Sequence, residues 1–195
     1  MQIIDDPRLI AKDNFPMIVF SDQTSGVMEF LIKFRTRGSY NHVMWAIWGG
    51  EFVSQGNTYA RVKMEKYMKA NSRLKFVSLE GVTPKGIAAI KKSIEAKLAL
   101  PWYKKAYNWL GILGQATGIK WLNTPGLEYC SQDVPQHLKI ALAQCPEGFP
   151  APLDGIIKNI PINPSPQQFN EYLHDFHSTA FPVYGKWEGD DHNWA

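Results

Sequence analysis

The amino-acid sequence predicts an α+β fold, a small antiparallel sheet packed against helices. Three observations predict it. First, 45% of the 195 residues are apolar and 13% aromatic, enough to bury one sizeable core. Second, Asn41 to Gln55 reads as two apolar runs around Gly49-Gly50, the pattern of a β-hairpin. Third, Ile87, Ile90, Ile94 and Leu98 recur at helical spacing between Thr83-Pro84, a helix start, and Pro101, a stop.

Taken in order, Met17-Ile18-Val19-Phe20 reads as a strand and Val27 to Phe34 as a helix by periodicity. The hairpin follows, and Lys75 to Leu79 supplies a third strand. Beyond the Pro84–Leu98 helix lies an aromatic stretch with Trp102, Tyr103, Tyr107, Trp109 and Trp121, then Cys130 and an apolar segment through Leu138, Ile140 and Leu142. A Pro-rich tail completes the chain: Ile160 to Pro166 extended, Pro166 to Asp175 a short helix, and Gly185 to Ala195 a loosely held end. Residues 1–195 are thus expected to form one domain, with 146–195 as a C-terminal elaboration.

Net charge is +3, but residues 1–105 hold 17 Lys and Arg against 9 Asp and Glu, and residues 106–195 hold 4 against 9. Arg61 to Lys105 alone carries 12 cations, so an anionic partner fits this half. The simpler reading makes Lys85, Lys91, Lys92 and Lys97 the solvated face of their helix, and no nucleic-acid partner is expected. No membrane-length apolar run and no basic, apolar leader occur, which predicts a chain that is cytoplasmic when synthesised and not inserted in a membrane. The two cysteines, Cys130 and Cys145, make no disulfide framework and lack zinc-ligand spacing.

The chemistry-bearing candidates are few. His42 begins the first hairpin strand, where a base is held still on one face. Cys130 sits between Pro125-Gly126 and a helix start, where unpaired backbone N–H groups stabilise a thiolate and then an oxyanion. His174 and His177 share a helical face and, with Asp190, Asp191 and His192, make a weaker metal-ligand set. No metal and no cofactor are expected. His137 reads as a packing or surface histidine, and Gly111, Gly114 and Gly118 precede no Gly-Lys-Ser/Thr and so form no phosphate loop.

His-Val opening an apolar strand, a glycine turn, a second strand, and a later Tyr129-Cys130-Ser131 opening a helix resemble the circularly permuted, NlpC-type papain-like cysteine hydrolases. YiiX-type proteins and the lecithin retinol acyltransferase group belong there. In the permuted order the histidine strand precedes the cysteine helix, as here. The likeness spans residues 17 to 145 and includes Pro101-Trp102-Tyr103 where the family carries a Pro-Tyr element. Pro135, five residues after Cys130, departs from the family's uninterrupted helix, so the helix either starts late, capped by Asp133 or Ser131, or has a distorted first turn.

The resemblance implies a permuted papain-like fold and a cysteine peptidase or amidase with Cys130 as nucleophile and His42 as base. It also implies a third, polar residue on the strand after the histidine. A two-residue turn at Gly49-Gly50 would pair Met44 with Gln55 and put Gln55 on the His42 face; a three-residue turn would bring Ser54 there. Gln55 is the first choice, Ser54 the second and Asn57 the third. The implied substrate is an amide bond in a cell-wall (peptidoglycan) peptide, reached after lysis or on a bacteriophage tail beside other virion proteins. The alternatives are a lipid or acyl hydrolase or acyltransferase, and a non-catalytic component of a phage assembly.

Overall fold

The computed structural model describes residues 15–22, 39–47, 50–68, 74–79, 81–106, 108, 110–111, 113–114, 130–161, 163–180 and 186–187. The expected helix over Val27 to Phe34, the far C-terminal end and the Asp190, Asp191 and His192 group lie outside them, as do the side chains of His174 and His177.

The architecture is α+β. Five strands, β1 (Met17–Ser21), β2 (His42–Ile47), β3 (Glu51–Gln55), β4 (Tyr59–Lys63) and β5 (Leu74–Val77), and a two-residue β6 (Lys186–Trp187) form one antiparallel sheet in the order β4-β3-β2-β1-β5-β6. The helices are α1 (Glu65–Met68), α2 (Pro84–Leu98), α3 (Cys130–Gln144), α4 (Ala151–Asn159) and α5 (Pro166–Ala180). No described helix is long and apolar enough to cross a membrane.

β1 is central, paired with β2 and β5, and all five of its residues are buried. That is why it reads as an unbroken apolar run rather than an alternation. Ile18, Phe20, Val43, Trp45 and Val53 meet the helical layer, while Met17, Val19, Met44, Ala46 and Phe52 form a second cluster on the opposite face. Into the first cluster α2 inserts Ile90 and Ile94, and α3 inserts Val134, Leu138 and Ala141. The start of α2 is as its sequence predicts: Thr83 caps it, with Oγ1 accepting from the Gly86 N–H at 3.3 Å, and Pro84 occupies the first position.

Three expectations need correction. α3 begins at Cys130 and runs through Pro135 to Gln144, so neither Ser131 nor Asp133 is its cap; the proline costs only the bond to the Ser131 carbonyl. The tail is not an appendage to the core. Leu153, Ile157, Ile160, Phe169 and Leu173 are part of the main cluster, and α4 was not foreseen because Ala151-Pro152 hides a helix start inside a proline-rich run. Finally, Lys97 is not on a solvated face, being only 14% exposed in its side chain and paired with Asp133.

α2 docks on the turn after α3 through two glycines. A Cβ on Gly86 would meet the Gly148 carbonyl oxygen at 2.6 Å, and one on Gly148 would meet Gly86 Cα at 2.7 Å. The Thr83 N–H donates to the Gly148 carbonyl at 2.9 Å in the same contact. Gly148→Ala is therefore expected to destabilise the protein by about 1–3 kcal/mol through backbone displacement. Urea denaturation will show this as a lower midpoint with an unchanged m-value.

Candidate active site at the start of β2

The hairpin register decides which β3 side chain meets His42. Ile47 pairs with Glu51, Ala46 with Phe52 and Trp45 with Val53, so residues 48–50 form a three-residue connection. Gly50, at φ 74°, takes the left-handed position such a loop requires. Carried on, this alternation sets Ser54 beside Met44 on the His42 face and turns Gln55 to the other. The first-choice partner Gln55 is thus displaced in favour of Ser54. Gln55 instead donates from Nε2 to the Lys105 carbonyl at 3.0 Å.

His42 Nε2 lies 2.7 Å from Ser54 Oγ, which lies 3.0 Å from the Tyr67 hydroxyl. That hydroxyl is also 3.4 Å from Nε2, and the two rings stack with centroids 5.9 Å apart and planes 9° from parallel. Sequence reasoning missed Tyr67, which comes from the short α1; no spacing signal links it to a histidine 25 residues earlier. Burial pushes the His42 pKa from 6.5 down to about 4, with Asp133 pulling it upward and Lys66 adding to the depression. At neutral pH the ring is uncharged, the form a general base requires.

Cys130 is the first residue of α3 and is 1% exposed. Its Sγ lies 4.0 Å from the carbonyl oxygen of Asn41, the residue before His42. Helix and strand thus bring the thiol to the backbone at the start of β2, from the helical side, while the imidazole is held by Ser54 and Tyr67 on the other. None of these bonds joins the sulfur to the ring. Cys145 differs: its thiol donates to Glu147 Oε1 at 3.3 Å, and burial together with that carboxylate raises its pKa.

One to two turns along α3 a second polar cluster is buried. Asp133 Oδ1 accepts from Lys97 Nζ at 2.6 Å and lies 3.2 Å from His137 Nε2. His137 Nε2 also meets the Tyr59 hydroxyl at 3.0 Å, and its Nδ1 meets Ser93 Oγ at 2.8 Å. The Ser93 hydroxyl proton goes to the Ile90 carbonyl at 3.0 Å, so Nδ1 donates to Ser93. Serine, histidine and aspartate are therefore together without a serine nucleophile. His137, expected as a packing or surface residue, is a buried packing residue with all these partners. Burial alone would raise the Asp133 pKa, but His137 and Lys97 beside it hold it below the usual carboxylate value.

Next to this cluster is a cavity of about 380 Å³ between α2, α3 and the segment after Pro101. Among the described residues no group of three or more His, Cys, Asp or Glu side chains is placed to hold a metal ion. No protein-family model, curated protein or solved structure matches this chain.

The depressed His42 pKa has a consequence for stability. Between pH 6.5 and about 4 the unfolded chain takes up a proton at this histidine that the folded chain refuses, so stability falls as pH drops through that window. Asp133 acts the same way only at lower pH, below its ordinary value of 3.8. The stability difference between the native protein and a His42→Asn variant is expected to decline by up to about 3 kcal/mol from pH 7 to pH 4. Urea titrations of both proteins at half-unit pH steps measure it.

Proposed function

We propose that this chain is a cysteine hydrolase of the permuted papain-like, NlpC-type architecture, cleaving an amide bond in a cell-wall peptide. The observation that carries the reading is the His42–Ser54 contact at 2.7 Å on β2 and β3, with a cysteine that opens a core helix reaching the Asn41 carbonyl from the other side of the strand. The chain order, histidine strand before cysteine helix, agrees with it. Bacteriophage tails or cell lysis would bring such an enzyme to its substrate.

In this mechanism Nε2–H donates to Ser54 Oγ, and Ser54 passes its own proton toward Tyr67, which fixes the tautomer and leaves the Nδ1 lone pair as base. In this structure Cys130 Sγ stands on the helical side of β2 and the imidazole on the other, so the step requires the start of α3 to rearrange; Nδ1 then takes the proton from Sγ, and the thiolate attacks the amide carbonyl carbon. The C–S bond forms as the carbonyl π pair moves onto oxygen, which backbone N–H groups at the start of α3 stabilise. The oxyanion collapses, the C–N bond breaks, and the amine leaves with the proton from His42. Water, deprotonated by His42, then releases the acyl group and regenerates the thiol.

A second reading, hydrolysis or transfer of an acyl chain by the same residues, has its own observation. Trp102 is 70% exposed, and Leu100, Tyr103, Leu110 and Leu113 are exposed near it in sequence. Exposed apolar residues gathered in one stretch suit a lipid-like substrate.

Incubation with purified muropeptides and with phospholipid, followed by mass spectrometry, separates the two. Cys130→Ala is expected to abolish turnover, and Ser54→Ala to lower kcat/KM by about 10- to 1000-fold, with Gln55→Ala changing it by less than about threefold. The acid limb of kcat/KM is expected near pH 4, following His42, rather than near 6.5. Iodoacetamide should modify Cys130 faster than Cys145, and His42→Ala should remove the difference. No cleavage of either substrate, together with equal alkylation rates, would assign the chain a non-catalytic role.

A further inference from the structure

The cavity beside α2 collects charge of one sign. Lys92 and Lys97 reach it from α2, and Lys104 and Lys105 from the turn after Pro101. No aspartate or glutamate lines it. Lys97 spends its charge on Asp133 at 2.6 Å, and Lys105 gives one N–H to the Leu98 carbonyl at 2.7 Å while keeping its charge. Lys92 and Lys104 have no carboxylate partner among the described residues.

The turn is pinned where it stands. The Tyr59 N–H donates to the Lys105 carbonyl at 2.9 Å, and Thr58 bridges to Ala106, so the two lysines are tied to the start of β4. Three cations, the exposed Lys92 and Lys104 and the half-buried Lys105, line one partly open space and repel one another, and a bound anion relieves that repulsion. Leu100, Ala96 and Ile140 line the same space and suit the body of an organic ligand. Gln55 also lines it, and its Oε1 is buried with no hydrogen-bond partner. A ligand hydroxyl or N–H would satisfy that acceptor. The volume of about 380 Å³ is that of a small-molecule site.

We propose that this cavity binds a phosphate ester, its phosphate among Lys92, Lys104 and Lys105 and its body, bearing a hydroxyl or N–H donor, against Leu100, Ile140 and Gln55. A doubly charged phosphate matches the lysines better than a carboxylate does, and lysine ammonium groups bind phosphate as point charges. His137 is seven residues along α3 from Cys130, about 10 Å of helix rise, so the site is separate from the cysteine and does not rest on the hydrolytic reading.

The test is isothermal titration calorimetry with adenosine 5′-monophosphate and ribose 5-phosphate, against adenosine, ribose and inorganic phosphate. At least one ester is expected to bind at least about tenfold tighter than its neutral counterpart and than inorganic phosphate, and more weakly as salt is raised. The double variant Lys92→Glu, Lys104→Glu is expected to lose at least about tenfold in affinity, with its circular dichroism unchanged. Lys91→Glu, exposed on the same helix but outside the cavity, should bind as the native protein does. The proposal is overturned if neither ester binds at about 1 mM, if adenosine and ribose bind as well as their esters, or if Lys91→Glu weakens binding as much as the double variant.

Discussion

Glu51 faces Ile47 across a three-residue connection, and that spacing sets the face of every side chain on β3. Ser54 falls on the side of Met44 and reaches His42 Nε2 at 2.7 Å, while Gln55 falls on the side of the helices and reaches the Lys105 carbonyl at 3.0 Å. A connection shorter by one residue would exchange them, because side chains alternate with period two. The His42–Ser54–Tyr67 group and the proposed phosphate-ester cavity lie on opposite faces of the sheet, and both depend on this one register. Gly50 with its positive φ makes the longer loop accessible at no steric cost.

The layer above the sheet is held by groups that ordinarily avoid burial. Asp133 and His137, at most 3% exposed in their side chains, and Lys97 form one network that includes Tyr59 and Ser93. Such a network contributes little relative to well-packed apolar residues, but breaking one partner leaves a buried charge uncompensated, which costs about 3–5 kcal/mol. Its effect is geometric: it locks α3 to α2 and to β4, with Lys97 Nζ also 4.7 Å from the Tyr59 ring centroid. The same helix starts with Cys130, so the network that orients its middle also sets where the thiol stands. On the far side of α2, the Gly86–Gly148 contact fixes the turn after α3. α3 is therefore constrained along its middle and just past its end.

Burial and charge act differently on the ionisable groups of β2 and α3. His42 is part-buried without a carboxylate in direct contact and is driven to its neutral form, whereas Asp133 is buried against Lys97 and His137 and stays ionised. The first outcome leaves an uncharged imidazole at neutral pH, the form the proposed base requires; the second gives a fixed structural charge. The two free cysteines divide in a similar way. Cys130 opens a helix at the sheet, and Cys145 closes the same helix against Glu147, with its pKa raised.

What the sequence by itself determined was local. The stripe of Ile87, Ile90, Ile94 and Leu98 between Thr83-Pro84 and Pro101 specified α2, the Met17 to Phe20 run specified β1, and the apolar runs around the glycines specified the hairpin. Cys130 at a helix start and His42 at a strand start were legible for the same reason, since caps, breakers and periodicity act between near neighbours. The tertiary structure decided the rest. Turn length was one residue longer than the Gly-Gly pair suggested, which moved the His42 partner from Gln55 to Ser54. Tyr67, 25 residues from His42, and Lys97, 36 residues from Asp133, found their partners only through folding. The proline-rich tail joined the core because Leu153, Ile157, Phe169 and Leu173 had apolar surface on the sheet side to cover. Periodicity shows which face of an element is apolar, but which distant residue meets it is set by packing many elements at once.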